Sequence, residues 1–241
     1  MAKMKETEKE LSRIYHPLWK EFKDKQYSEA TSLFAGRLKI NGFDLDWFKD
    51  KVCLDAGCGS GRYIQAMLDL GAKEIVGMDL DTAVAEENIN DPKAKILKKD
   101  IREVPFEDGI FDFVCCNGVV HHTENPEEII KELSRVLKNG GYLFLYVYDT
   151  ITHDWEVIDE IRKINKVVPV ERFHAFLKHQ LNLPENKLFN FCDLIYAPIQ
   201  LRFTKSELNG LLKEFDVRYL SVPFTDYDRP EECRLIAKKT K

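Results

Sequence analysis

The spacing of apolar residues changes once along the chain, near residue 51. Before that point Leu11, Ile14, Leu18 and Phe22 recur three and four positions apart, which places them on one helical face. A helix is therefore predicted over 5–24 and a second, shorter one over 27–38. Beyond residue 51, short apolar runs alternate with helical stretches: VCLDA (52–56), EIVGMD (74–79), AKILKK (94–99), FDFVCCNG (111–118) and GYLFLYVY (141–148). Runs of that length separated by helices predict βα units and a mostly parallel sheet. The helix before the last run is the best defined. Asn125 caps it, Pro126 fits its first position, Glu128 completes a capping box, and Ile129, Ile130, Leu133, Val136 and Leu137 make its apolar face. Asn139-Gly140-Gly141 then stops it.

Residues 150–203 interrupt this alternation with aromatic, helix-prone sequence carrying Pro169, Pro184 and Pro198, too long for an ordinary connection. They are expected to form an insertion over the open edge of a site. A helix from Thr204 to Phe215 follows. DVRYLSVPF and CRLIAKK then predict a terminal antiparallel strand pair with a hairpin loop around 224–230. The chain is read as one domain over 1–241: a helical cap (1–50), a nucleotide-type core (51–149), the covering insertion (150–203), and the C-terminal helix and strand pair (204–241).

Composition narrows the classes. At 241 residues, 44% hydrophobic and 32% charged, the chain has ample material for a core. Its start, MAKMKETEKELSRIYH, lacks the apolar stretch of a secretion signal, and no segment approaches a membrane span, so a cytoplasmic protein with no membrane contact is expected. The net charge is −5 with Lys and Arg thinly spread, which makes a nucleic-acid partner unlikely on electrostatic grounds. Six cysteines without a C-x-x-C pair suggest neither a metal site nor disulfides.

The chemistry concentrates in LDAGCGSGRY (54–63), between a predicted strand and a predicted helix. A dinucleotide fingerprint needs a third glycine where this sequence has Arg62, and a triphosphate loop needs a Gly-Lys-Ser/Thr ending that is absent. Asp55 would repel a pyrophosphate and attract an ammonium, so the expected ligand is cationic or zwitterionic. Its alternative role is to support the loop or the following helix. Asp79 ends the second strand, where a carboxylate accepts from ribose hydroxyls, with capping of helix 82–89 as the alternative. Asp100 ends the third strand, placed to accept from an adenine amino group while Ile101 lies against the ring. Three carboxylates at successive strand ends describe a nucleoside with a positive tail.

LDAGCGSG, GMDLD, KKDI, FDFVCCNGVVHH and LKNGGYLF, in this order, resemble the class I S-adenosylmethionine-dependent methyltransferase family over roughly 50–148. The resemblance implies an α/β fold: a Rossmann-like three-layer α-β-α sandwich on a seven-stranded, mostly parallel sheet with an antiparallel last strand. It implies S-adenosylmethionine as cofactor, with S-adenosylhomocysteine as product, the methionine part lying over Gly57–Gly61. The cofactor residues expected are Asp55, Ala56, Gly57, Cys58, Gly59, Gly61, Tyr63, Asp79, Leu80, Asp100, Ile101, Asn117, Gly118 and Val119. Arg62 is a further candidate for the cofactor carboxylate. His121, His122 and His153 are the catalytic candidates, to orient or deprotonate an acceptor. His122 has the alternative of packing behind its loop and donating to a backbone carbonyl. Trp155, Asp193, Tyr196 and Arg202 are the substrate candidates, with Trp19, Tyr27 and Arg37 on the N-terminal helices. The function expected is methyl transfer to an oxygen or nitrogen of a small molecule by in-line displacement. RNA or protein as acceptor is the alternative; a cofactor-binding subunit without turnover is a third reading. The Asn/Asp-Pro-Pro-Tyr/Phe motif of many nucleic-acid amino-methylating enzymes is replaced here by Asn117-Gly118-Val119-Val120.

Overall fold

Among the described residues, seven strands, numbered in chain order, form one sheet in the order β3-β2-β1-β4-β5-β7-β6. The computed structural model describes residues 2–20, 24–151, 154–220 and 233–240. The expected hairpin loop around 224–230 lies outside them.

Strands β1 (Val52–Ala56), β2 (Glu74–Asp79), β3 (Ala94–Lys98), β4 (Phe111–Asn117) and β5 (Leu137–Val147) run parallel. The last strand, β7 (Cys233–Lys239), is antiparallel to both β5 and β6 (Phe215–Tyr219). Buried parallel strands read as continuous apolar runs because both faces are covered. Leu54, Val114, Cys116, Leu143 and Leu145 pack on one face with Ile129, Leu133 and Val136 of α5 (Pro126–Val136) and Leu208 of α9 (Lys205–Leu211). Cys53, Phe113, Cys115 and Phe144 pack on the other with Ile64 and Met67 of α3 (Arg62–Asp69) and Ala85 of α4 (Ala83–Asn88). The period of two along each strand thus divides adjacent residues, Cys115 and Cys116 among them, between two cores.

β5 starts earlier than its apolar run suggests. It follows α5 directly, and Asn139-Gly140-Gly141 form a bulge inside the strand: Leu137 faces Phe111, yet Tyr142 faces Phe113. Gly140 takes a positive φ of 79° there, and a Cβ on Gly141 would come within 2.8 Å of Asp112 O.

The N-terminal helices are α1 (Ala2–Lys20) and α2 (Asp24–Ile40). α2 belongs to the core: Phe34 is fully buried, edge-on to Phe144 at 5.2 Å, Tyr63 at 5.4 Å and Phe48 at 6.0 Å. Ile14 and Leu18 of α1 instead join the insertion helices α7 (Val170–His179) and α8 (Glu185–Tyr196) in a third cluster, around Val170, Leu177, Leu188 and Cys192. The insertion begins with α6 (Trp155–Arg162) and returns through a bridge between Asp149 and Phe203. No helix among the described residues is long and apolar enough to cross a membrane.

Because Phe34 joins α2 to both the sheet and α3, Phe34→Ala is expected to cost about 3–5 kcal/mol in urea unfolding. A loss below about 1 kcal/mol would show α2 to be peripheral to the core.

Candidate functional site

The sheet changes direction at β1, which pairs with β2 on one side and β4 on the other. Loops leaving the carboxyl ends of β1 and β4 therefore diverge, and a crevice opens between them. The turn after β1 folds back on β2: Gly57 and Cys58 N–H both donate to Met78 O, at 2.7 and 3.0 Å. Gly57 and Gly61 each have φ of +84°, a backbone that side chains other than glycine's rarely allow. A Cβ on Gly57 would also lie 2.2 Å from Cγ2 of Val119, so the loop after β4 closes directly onto the loop after β1.

Asp55 lies under this turn, buried, and neither of its oxygens has a hydrogen-bond partner among the described residues. Burial pushes its carboxyl up to about 7, opposed by Arg62, helped by the nearby charge of Asp79, and opposed further by weak donation from the Cys115 thiol and Ile64 N–H, neither at full hydrogen-bond geometry. Asp79 is better satisfied. Its Oδ2 accepts from Gly59 N–H at 2.8 Å and its Oδ1 from Asp81 N–H at 3.1 Å. Burial raises its carboxyl, and those backbone donors oppose the rise. Two backbone donors leave a carboxylate further lone pairs to offer. A poorly satisfied buried carboxylate, a turn closed to any Cβ and a strand-end acceptor together fit a nucleoside with a cationic tail.

Asp100 is differently engaged. Arg102 grips both its oxygens from Nε at 3.0 Å and from Nη2, and the Arg102 N–H adds a bond at 2.9 Å. Burial alone would raise its carboxyl, but Arg102 holds it below the usual range. Both residues line an open cavity of about 540 Å³. Ile101 is buried in the core on the α5 face, Leu80 is half-buried, and Tyr63 is buried edge-on against Phe34. Arg62 lies over the ring of Trp19, 4.9 Å from its centre.

On the β4 side, Asn117 Oδ1 accepts from Arg234 Nη1 at 2.9 Å, and that guanidinium lies 4.1 Å over Tyr146. The bond fixes the Asn117 amide so that its nitrogen faces away from Arg234. Gly118, at φ +80°, donates its N–H to Tyr146 O. His121 is buried and stacks on Tyr148 at 4.0 Å. Its Nδ1 accepts from Tyr148 N–H at 3.2 Å, which leaves the ring proton on Nε2. Burial holds His121 well below its ordinary pKa, hence neutral. His122 faces acceptors at both nitrogens: Ile199 O, 2.7 Å from Nδ1, and Asp193 Oδ1, 3.3 Å from Nε2. His121 thus keeps its lone pair on a backbone donor, and both ring nitrogens of His122 are turned toward protein groups. His153 lies outside the described residues.

Asp193 is buried at the centre of a cluster, accepting from Tyr15 OH, Tyr148 OH and His122. Burial alone would raise its carboxyl; His122 and the two hydroxyls outweigh that and hold it far below the usual range. Trp155 adjoins Tyr148 at 5.5 Å, with Arg202 stacked on its other side at 4.1 Å and paired to Asp159. Tyr196 turns away and donates to Val168 O inside the insertion. The sequence reading missed Tyr15, Tyr148, Ser12, His16 and Arg234. Only Tyr148 had a local signal, at the end of a predicted strand.

Comparison with known proteins adds three findings. Residues 54–145 match the methyltransferase domain family. A tRNA U34 carboxymethyltransferase of Helicobacter acinonychis is 34% identical over 114 residues, covering 44% of this chain and 42% of that protein. One from Mannheimia succiniciproducens is 32% identical over 144 residues, 56% of this chain and 41% of the relative. The chain thus spans less than half the length of these relatives. Their names overturn the expectation of a small-molecule acceptor with nucleic acid unlikely. That expectation rested on the net charge, the thin spread of Lys and Arg and the missing Asn/Asp-Pro-Pro-Tyr/Phe motif, and charge averaged over a surface hides local contacts to phosphate. The fold itself recurs in the 1,6-didemethyltoxoflavin-N1-methyltransferase of Burkholderia thailandensis, solved with S-adenosylhomocysteine, at TM-score 0.58 and 16% identity over 97% of this chain and 87% of that one. With the sheet order, the glycine turn and the match over 54–145, that part of the chain is a methyltransferase domain of the class I S-adenosylmethionine-dependent kind.

Proposed function

We infer that the chain methylates a nucleoside of tRNA, with S-adenosylmethionine as the donor. The observation that carries the donor side is Asp55, a buried carboxylate behind the turn Gly57–Gly61 whose only donors among the described residues are weak ones, the Cys115 thiol and Ile64 N–H. Asp55 is suited to the donor's ammonium and Asp79 to its ribose, while Asn117 and Val119 border the transfer side. S-adenosylmethionine, when bound, supplies a methyl carbon activated by the sulfonium charge. What the chain adds is alignment of the acceptor and exclusion of water. His121 donates from Nε2, and both nitrogens of His122 are engaged, so the acceptor favoured is one that attacks without an imidazole base. The RNA reading is supported by the names of the curated relatives.

Incubation with methyl-labelled S-adenosylmethionine and separated tRNA, protein and metabolite pools is expected to label tRNA. Nucleoside mass spectrometry then identifies the base and distinguishes a methyl from a carboxymethyl addition. Label confined to protein or metabolites would sink the RNA reading.

The raised Asp55 carboxyl also makes cofactor binding depend on pH. An ammonium favours ionised Asp55, so binding below pH about 7 releases a proton. Affinity for S-adenosylhomocysteine is expected to rise with pH up to about 7 and then level off. Calorimetry in buffers of different ionisation enthalpy reads the proton directly. In Asp55→Asn the release is expected to vanish and binding to weaken about tenfold or more. An unchanged pH profile in that variant would remove Asp55 from this role.

A further inference from the structure

Helix α1 crosses from the glycine turn to the insertion, and its two adjacent faces meet two different carboxylates. Ser12, His16, Trp19 and Lys20, spaced four, three and one apart, face the donor side. Ser12 Oγ and His16 Nδ1 both reach Asp81 Oδ2, the latter at 3.1 Å, and Lys20 Nζ lies 3.7 Å from Glu87 of α4. Trp19 lies so close to Gly59 that a Cβ there would sit 2.9 Å from the indole. Ile14, Tyr15 and Leu18 face the insertion, where Ile14 and Leu18 are buried against α7 and α8 and Tyr15 donates to Asp193. Arg13 adds an exposed contact to Glu171 of α7 at 3.1 Å.

We propose that α1 is a strap with two latches of separate duty. The Asp81 latch holds the helix over Gly59 and governs how fast the cofactor leaves. The Asp193 latch is a positioning device for the acceptor side. It acts through Tyr148, whose N–H fixes His121, and through His122, the next residue along the chain. Asp193 and Tyr15 are positioning residues in this scheme, remote from the reacting atoms.

The strength of the Asp193 latch follows from its burial. A buried carboxylate that loses one donor pays a desolvation cost larger than the net worth of the bond. Tyr15 reaches Asp193 from the same helix that carries Ser12 and His16, but from its other face, so each carboxylate can lose its donors while the other keeps its own. This inference rests on the donor site proposed over Gly57–Gly61.

The test pairs Tyr15→Phe with the double variant Ser12→Ala/His16→Ala, which leaves Asp81 free to accept from Ala83 N–H and cap α4. Three quantities are read on folded protein: the affinity for S-adenosylhomocysteine, its release rate by stopped flow, and single-turnover transfer to the labelled RNA pool. Tyr15→Phe is expected to slow transfer about tenfold, the scale of one buried hydrogen bond, with affinity and release held within about twofold. The double variant is expected to speed release about tenfold with single-turnover transfer unchanged at saturating cofactor. Tyr148→Phe, which removes another hydroxyl from Asp193, is expected to reproduce Tyr15→Phe. Parallel loss of affinity and transfer in both variants, or no change in either, would overturn the two-latch assignment. Failure of the wild-type chain to bind S-adenosylhomocysteine would instead overturn the donor site beneath it.

Discussion

The reversal of strand order at β1 is the constraint on which the site depends. Because β1 pairs with β2 and β4 on opposite sides, chain segments leaving β1 and β4 must turn apart at the same height. The turn after β1 has little room: two of its N–H groups are tied to Met78 O, and Val119 presses on Gly57 from the far side. Only glycine satisfies both the positive φ and the contact. Asp55, on the face of β1 shared with Cys53 and Cys115, is thereby trapped beneath a closed turn. Its burial is a consequence of topology before it is a feature of chemistry.

The core was legible because its signals are local. A period of two along each strand separates neighbours such as Leu54 and Cys53 into different cores, and the glycine turn is defined within ten residues. The contacts that organise the rest join distant parts of the chain. Ser12 reaches Asp81 across 69 positions, and Tyr15 reaches Asp193 across 178, so no spacing rule could pair them. Tyr15 sits beside Ile14 and reads as part of a helical stripe until α8 is placed against it. The bulge at Asn139-Gly140-Gly141 is a related case. Those residues look like a helix stop, and they do follow the helix, but sheet pairing resumes on both sides of them. The acceptor class was illegible for another reason, since net charge is summed over the whole surface while recognition of one base in RNA is confined to a small part of it.

Asp55 and Asp193 are of one residue type and both deeply buried, yet their carboxyls move in opposite directions, and the difference separates chemistry from scaffolding. Burial raises both. Asp193 receives two hydroxyls and a histidine, which together outweigh desolvation and leave a firmly ionised hub whose partners are all supplied by the chain. Asp55 receives no such donors, and its carboxyl stays near 7. A fold retains a poorly satisfied buried acid at a cost of a few kcal/mol only where something else supplies the missing charge. The asymmetry therefore distinguishes an acid with charge still to be satisfied, as the donor site proposed over Gly57–Gly61 requires, from one already satisfied by the protein itself. Around Asp193 of α8, the charge cluster thus adds a polar tie between α1 and the insertion to the apolar packing of Ile14 and Leu18 on α7 and α8.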